Sequence, residues 1–255
     1  MSNVRWMSFI PPQYRRIALQ AAQADRESVL ITGATGSGKS GIARWIHQNS
    51  PRSMQPFVSL KPGMISAETI LSAKAGTIFL AEFETLAPYE KEIVLYVMKH
   101  SALPAALTSE HTQQIVRARV IMSSFDPIDH LLSHQPRYTI QIPLLCTREE
   151  EFEDITRGLL REIAHSGKKD HLHNLDESAW KVLKDHTWPG NLRELRNALS
   201  VAVVRAEGDE VKVQDLPPLT DSSLIDLHGS RADFERDLLE KIITLAKKEF
   251  TSKPG

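Results

Sequence analysis

"GATGSGKS", Gly33 to Ser40, satisfies the spacing G-x-x-x-x-G-K-[ST], and its flanks decide what that spacing means. On the amino side, "SVLIT" (28 to 32) is a short apolar run. On the carboxyl side, "KSGIARWIHQN" (39 to 49) repeats apolar residues at three and four, as an amphipathic helix does. Strand, glycine-rich turn and helix in that order predict a phosphate cradle. Its glycines let the backbone curl so that the N–H groups of Gly33, Ala34, Thr35, Gly36, Ser37 and Gly38 point inward, and the helix N-terminus adds partial positive charge. Lys39 is expected to reach the β- and γ-phosphates, and the Ser40 hydroxyl to ligate Mg²⁺. The expected ligands are ATP or ADP, with Mg²⁺. The plain alternative, a Gly-Ser turn ahead of a helix, needs neither these flanks nor the GKS ending.

Further along the chain, short apolar runs alternate with helical patterns. "PFVSL" (56 to 60), "GTIFLA" (76 to 81), "ARVIMSS" (118 to 124) and "YTIQI" (138 to 142) join "SVLIT" as candidate strands, and "PYEKEIVLYVMKH" (88 to 100) reads as a helix between them. This pattern predicts an α/β fold, a parallel sheet flanked by helices. Past about residue 147 the strand signals stop. "REEEFEDITRGLLREIAHS", "DESAWKVLKDH" and "NLRELRNALSVAVVRAE" predict an all-helical subdomain, with Asp176 as an N-cap and Pro189 with Gly190 forcing a turn. The proline-bearing "VQDLPPLTDSSLIDLHGS" reads as a linker before a last amphipathic helix. The expected division is a nucleotide-binding core over 1–147, a helical subdomain over 148–208, a linker over 209–229, and a closing helix and tail over 230–255.

At 255 residues, 41% of them hydrophobic, the chain can bury a substantial interior, and its net charge of -1 gives no global attraction to nucleic acid or an anionic membrane, while leaving room for a local basic patch within the balanced total. The single cysteine, Cys146, excludes an internal disulfide and suits a reducing, cytoplasmic setting. No run approaches the roughly 18 apolar residues of a membrane span, and the first residues lack the apolar centre of a signal peptide. His165, His171 and His173 lie in a polar stretch without a Cys or carboxylate pattern at zinc spacing, so a solvated loop is the expectation; His130 and His134 read as a surface pair. Trp45, Trp180 and Trp188 fall on apolar faces and are expected in the core.

The cradle alone names no function. "WPGNLRELRN", Trp188 to Asn197, resembles the lid-helix signature of the AAA+ domain in bacterial enhancer-binding proteins, the activators of sigma-54 RNA polymerase. "VLITGATGSGKS", "IARWIHQNSPR" with "PFVSL", "AGTIFLAEF" and "IQIPLLCTREEEFEDI" resemble the same family in its order, and the resemblance covers about residues 10 to 205. It implies an AAA+ core followed by a helical lid, with Arg193 as the sensor arginine that the lid brings to the phosphates. A surface salt bridge is the plain alternative for Arg193. The resemblance also suggests that Trp6 belongs to a segment covering the adenine.

Four departures accompany it. The family's "LFLDE" becomes "IFLAE": Glu82, the water-polarising catalytic position, remains, while Ala81 offers no carboxylate to the metal. The family's long insertion with the GAFTGA loop, which touches the sigma factor, is replaced by "KPGMISAETILSAKA". Where the family places a γ-phosphate-sensing asparagine after "RVIMSS", this chain has Phe125 and Asp126. The family's inter-subunit arginines have one counterpart by position, Arg137, in an unconvincing register. An arginine finger contributes about 10³ to 10⁵ in rate. The expectation is therefore a degenerate regulator that binds ATP or ADP, hydrolyses it poorly, does not remodel sigma-54 through a GAFTGA loop, and associates with itself or with another AAA+ or regulatory protein. Two alternatives stand beside it. One is a working ATPase, with Glu82 or Glu84 in the metal-water role, acting on another partner. The other is a DNA-binding regulator using the core as an oligomerisation platform, although "ADFERDLLEKIITLAKKEF" resembles only the opening helix of the family's helix-turn-helix.

Overall fold

Every predicted strand of the first half is taken up into one sheet. A computed structural model describes residues 9–108, 111–128 and 136–219. In chain order its helices and strands are α1 (Pro12–Gln23), β1 (Val29–Gly33), α2 (Lys39–Gln48), β2 (Phe57–Leu60), α3 (Ala67–Ser72), β3 (Thr77–Leu80), α4 (Pro88–His100), β4 (Ala102–Leu103), β5 (Gln114–Ile115), β6 (Arg119–Ser124) and β7 (Tyr138–Ile142), followed by α5 (Glu149–Ser166), β8 (Asn174–Leu175), α6 (Glu177–Asp185), α7 (Asn191–Arg205) and β9 (Glu210–Val211). The five-stranded sheet has the order β2-β3-β6-β1-β7 and is parallel at every pairing. The central strands β1, β3 and β6 are buried along their whole length, as strands covered on both faces must be. One face packs Val29, Ile31, Phe79 and Ile121 under α1 and α2; the other packs Leu30, Ile78, Leu80 and Met122 under α3 and α4.

Besides β8 and β9 in the second half, four elements were not signalled in the sequence: α1, the short α3 and the two strands of the hairpin β4–β5. Helix α3 is held by a Ser66–Thr69 capping box rather than by a long apolar stripe. The stretch Lys61 to Ala75 is thus a turn at Gly63, with φ of +80°, and a helix capped at Ser66, running directly into β3.

The second half is helical apart from the parallel pair β8–β9. Asp176 caps α6 by accepting the Ala179 N–H at 2.7 Å, a contact that contributes about 1 kcal/mol. Trp188 is buried and donates its indole N–H to the Leu183 carbonyl at 2.9 Å. Trp45 is buried as well, whereas Trp180 stays half-buried with the Arg157 guanidinium 5.0 Å over its ring. The expectation of a free linker from residue 209 is corrected as far as the structure is described. Strand β9 pairs with β8, Val211 and Leu216 enter the helical subdomain's core, and Leu219 packs against it, because "EV" and "LPPL" bring apolar side chains that the α5–α7 surface covers. The expected closing helix, His130, His134 and Trp6 lie outside the described residues. Among the described residues no helix is long and apolar enough to cross a membrane.

The chain crosses between the two halves at adjacent positions near its start. Phe9 belongs to the helical subdomain's hydrophobic core, and Ile10 to the cluster beneath α1 and α2. The buried Arg148 guanidinium donates to the Phe9 carbonyl at 3.1 Å and pairs with Glu151 at 2.6 Å.

Two further buried arginines close the amino ends of the strands. Arg52 donates to the carbonyls of Asp25 (2.6 Å), Arg117 (2.7 Å) and Ala75, and Arg119 donates to those of Glu27 (2.8 Å) and Ala24 (3.3 Å). Burial, assisted by the like charge of Arg52, pushes the Arg119 guanidinium down to about 10. Hydrogen bonds to a charged group contribute about 1.5–3 kcal/mol each, and carbonyls left without a donor add their own cost. Arg52→Met is accordingly expected to lower the stability of the core by about 3 kcal/mol or more. Urea unfolding with an unchanged midpoint would show these bonds to be without net effect.

Candidate nucleotide-binding site

The glycine-rich turn leaves the carboxyl end of β1 and enters α2. Gly36 and Gly38 have φ of +80° and +99°, backbone that a side-chain-bearing residue rarely adopts. Gly38 is the N-cap of α2, which follows with Lys39 and Ser40 in its first turn. The Lys39 ammonium folds back onto the loop, donating to the Gly33 carbonyl and, at 3.0 Å, to the Ala34 carbonyl. Burial pushes the Lys39 amine down from its ordinary range; Glu84 and then Glu82 oppose that shift, and Arg193 adds to it as a like charge. The Ser40 side chain is exposed. These are the groups a phosphate and its cation require: a curled backbone, a cation able to swing outward, a hydroxyl and a helix N-terminus.

The second wall of the site is the first turn of α7. The Arg193 backbone N–H donates to the Gly36 carbonyl at 3.1 Å, which fixes the residue's Cα directly against the loop while its side chain remains exposed. Asn191, 1% exposed and at φ of +52°, bridges two elements: its Oδ1 accepts the Leu145 N–H at 2.9 Å and its Nδ2 donates to the Thr35 carbonyl at 3.2 Å. Glu194 accepts the Gly190 N–H at 2.7 Å and so holds the start of α7. A methyl group at Gly36 would lie 2.2 Å from the Gly190 carbonyl, and one at Gly38 would lie 3.0 Å from Leu192 Cδ1. The sequence reading placed Arg193 at the phosphates and missed Asn191, although an amide two residues before that arginine was the available signal.

On the facing wall, β3 ends at Leu80. The Ala81 N–H still donates to the Leu60 carbonyl at 3.0 Å, and Glu82 then enters the left-handed region at φ of +55°. This kink leaves Glu82 exposed, its N–H donated to Ser123 Oγ at 3.3 Å, and buries Phe83. Glu84, half-buried, turns inward: its Oε1 accepts the Phe125 N–H at 3.0 Å, while its Oε2 is buried with no partner among the described residues. The Phe125 carbonyl in turn accepts the Gly33 N–H at 3.2 Å. Arg137 is exposed at the amino end of β7, the edge of the sheet away from its own phosphate loop, so it points toward no part of this site. His165 pairs with Asp170 at 2.8 Å, and His171 and His173 are exposed.

The sheet order, the phosphate loop and the helical subdomain docked on it define an AAA+ P-loop core with its lid. Residues 12–73 match the sigma-54 interaction domain and residues 147–228 the AAA+ ATPase lid domain. A Geobacillus stearothermophilus protein named limonene hydroxylase is 30% identical over 93% of this chain and 50% of its own. The nitrogen assimilation regulatory protein NtrX of Azorhizobium caulinodans is 28% identical over 81% of this chain and 52% of its own. Among solved structures, Brucella abortus NtrX in complex with ADP superimposes with a TM-score of 0.67 at 23% identity, over 87% of this chain and 56% of that one. The same protein in complex with ATP gives 0.64 at 23% identity, over 94% and 61%. The chain is thus similar to the sigma-54 interaction domain and to the AAA+ ATPase lid domain over those two stretches, and it spans about half the length of the curated relatives it matches.

The close seat of the lid generates a test. Gly36→Ala combines a strained φ with a contact no backbone carbonyl can accommodate, so the variant is expected to fold but to release α7 from the loop. Hydrogen exchange at the Arg193 amide should accelerate more than about tenfold, the equivalent of 1.4 kcal/mol. Unchanged protection at that amide would show that the contact does not hold the lid.

Proposed function

We propose that the chain is an ATP- or ADP-binding cytoplasmic regulator with weak or no ATPase activity, acting through nucleotide-stabilised association with itself or with another AAA+ or regulatory protein. The observation that carries this reading is the docking of α7 on the phosphate loop, with the Arg193 N–H on the Gly36 carbonyl. A phosphate in the cradle would meet Lys39 from the core and the Arg193 side chain from the lid, and so favours the docked arrangement by its differential affinity for it. The loop from Gly33 to Gly38 would cradle the phosphates, although the expected inward N–H groups of Gly33 and Ser37 are instead donated to the Phe125 and Ala34 carbonyls, and Ser40 would ligate Mg²⁺. The core is taken as residues 1–147, with the lid beginning at 148.

Turnover is expected to be slow because the groups that act on the transition state are depleted. Phe125 presents no side-chain amide to a γ-phosphate, and Glu82, the position for polarising water, is turned to solvent. Binding and barrier are separable in this way, since cradle contacts hold ground state and transition state alike. The segment from Lys61 to Ala75, built as a turn and the short α3, carries no GAFTGA loop, so sigma-54 remodelling is not part of the proposal.

Calorimetry should show ATP and ADP binding with similar affinity and Lys39→Ala weakening both; wild-type protein that binds neither would remove the reading. Arg193→Ala should reduce the melting shift induced by nucleotide more than it reduces the stability of the free protein, and equal shifts in mutant and wild type would exclude the lid coupling. Phosphate release at several per second would instead establish a working ATPase. Open-complex formation in a purified sigma-54 assay with this protein as sole activator would overturn the exclusion of sigma-54 remodelling.

A further inference from the structure

The inward turn of Glu84 has no counterpart in the sequence reading of the site beyond its mention as an alternative acid. We propose that Glu84 supplies the carboxylate for the Mg²⁺ of a bound nucleotide in place of the residue absent at Ala81, together with the Ser40 hydroxyl. The inference rests on the nucleotide-binding reading above and adds to it the origin of the metal dependence.

The argument begins with backbone geometry. Position 81 still follows the strand, and its methyl group packs against the apolar cluster beneath α2. The left-handed turn at Glu82 and the burial of Phe83 then fix the direction of residue 84. The Lys91 ammonium donates to the Glu84 carbonyl at 2.8 Å and pins the turn. The side chain is positioned by the Phe125 N–H on Oε1, and the Phe125 carbonyl holds the Gly33 N–H. Glu84 is therefore tied through a single residue, Phe125, to the first glycine of the phosphate loop.

What remains is the second oxygen. Glu84 Oε2 is buried and has no hydrogen-bond donor among the described residues, although the Lys39 ammonium attracts the carboxylate electrostatically, and a buried oxygen left so is costly unless a donor or a cation meets it. The Ser40 hydroxyl, a carboxylate oxygen without a hydrogen-bond donor and phosphate oxygens would together be a donor set suited to a hard cation. Mg²⁺ is held by one or two carboxylates plus substrate phosphates, the rest of its octahedron being water. Glutamate at 84 has one methylene more than the aspartate expected at 81, which favours reach back toward the loop.

Calorimetric titration of ADP in 5 mM Mg²⁺ and in EDTA tests this with wild type, Glu84→Gln and Glu82→Gln. Glutamine keeps an oxygen for the Phe125 N–H, and a melting curve shows whether the variant remains folded. Wild type should bind more tightly with Mg²⁺ by a factor of about ten or more, and Glu84→Gln should lose that factor while keeping its affinity in EDTA. Persistence of the Mg²⁺ factor in Glu84→Gln, its loss in Glu82→Gln instead, or its absence from wild type that binds ADP would each overturn the assignment. Wild type with no ADP affinity in either buffer would remove the nucleotide reading together with it. Should Glu84→Gln fail to fold, Mn²⁺ electron paramagnetic resonance of the wild-type ADP complex decides. Carboxylate coordination from the protein supports the proposal, and a spectrum unchanged from Mn²⁺–ADP alone overturns it.

Discussion

The seat of the lid on the phosphate loop depends on one buried amide. Asn191 accepts from the backbone at Leu145, where the core gives way to the lid, and donates to the Thr35 carbonyl within the loop. Both of its polar ends are used, and it adopts left-handed backbone that asparagine tolerates better than most residues. Its contacts and the Arg193–Gly36 bond lie within a single turn of helix, so the loop, the crossing point and α7 form one rigid corner.

That corner concentrates charge. Lys39 and Arg193 stand on the two sides of the loop, and Glu84 and Glu82 answer them from the end of β3. In the free protein Lys39 is satisfied by two loop carbonyls rather than by a carboxylate, an arrangement it can leave without stranding a buried anion. A phosphate that takes the lysine exchanges one set of hydrogen bonds for a stronger, charge-assisted set. The electrostatic design thus serves capture of an anion whether or not any bond to it is later broken.

Much of this was legible in the sequence. The five strand runs are strongly apolar and bounded by turn residues, so their positions in "SVLIT", "PFVSL", "GTIFLA", "ARVIMSS" and "YTIQI" survive with shifts of a residue at their ends. The loop from Gly33 to Ser40 was recognisable from its spacing, and Arg193 only through the resemblance of "WPGNLRELRN" to a lid-helix signature. Helix α3 and the β8–β9 pair were not, since they are short and held by a cap or by tertiary packing rather than by periodicity. Glu84 stood in the sequence only as an alternative to Glu82, for a different reason. Its inward direction follows from the left-handed kink at Glu82, and no residue type at 82 announces positive φ. Asn191 was hidden because an asparagine before a helix reads as a cap, whereas here it fastens two units together.

The crossing at Phe9 and Ile10 has a mechanical consequence. Neighbouring residues are anchored in different hydrophobic cores, and the Arg148 guanidinium clasps the Phe9 carbonyl from the lid side. A peptide of fixed length spans the gap, so it behaves as a yoke: the lid cannot swing far without pulling on Phe9 or drawing it out of its pocket. Any displacement of α5 to α7 is therefore passed to the polypeptide leading into residue 9, and tension applied to that polypeptide is passed back to the lid.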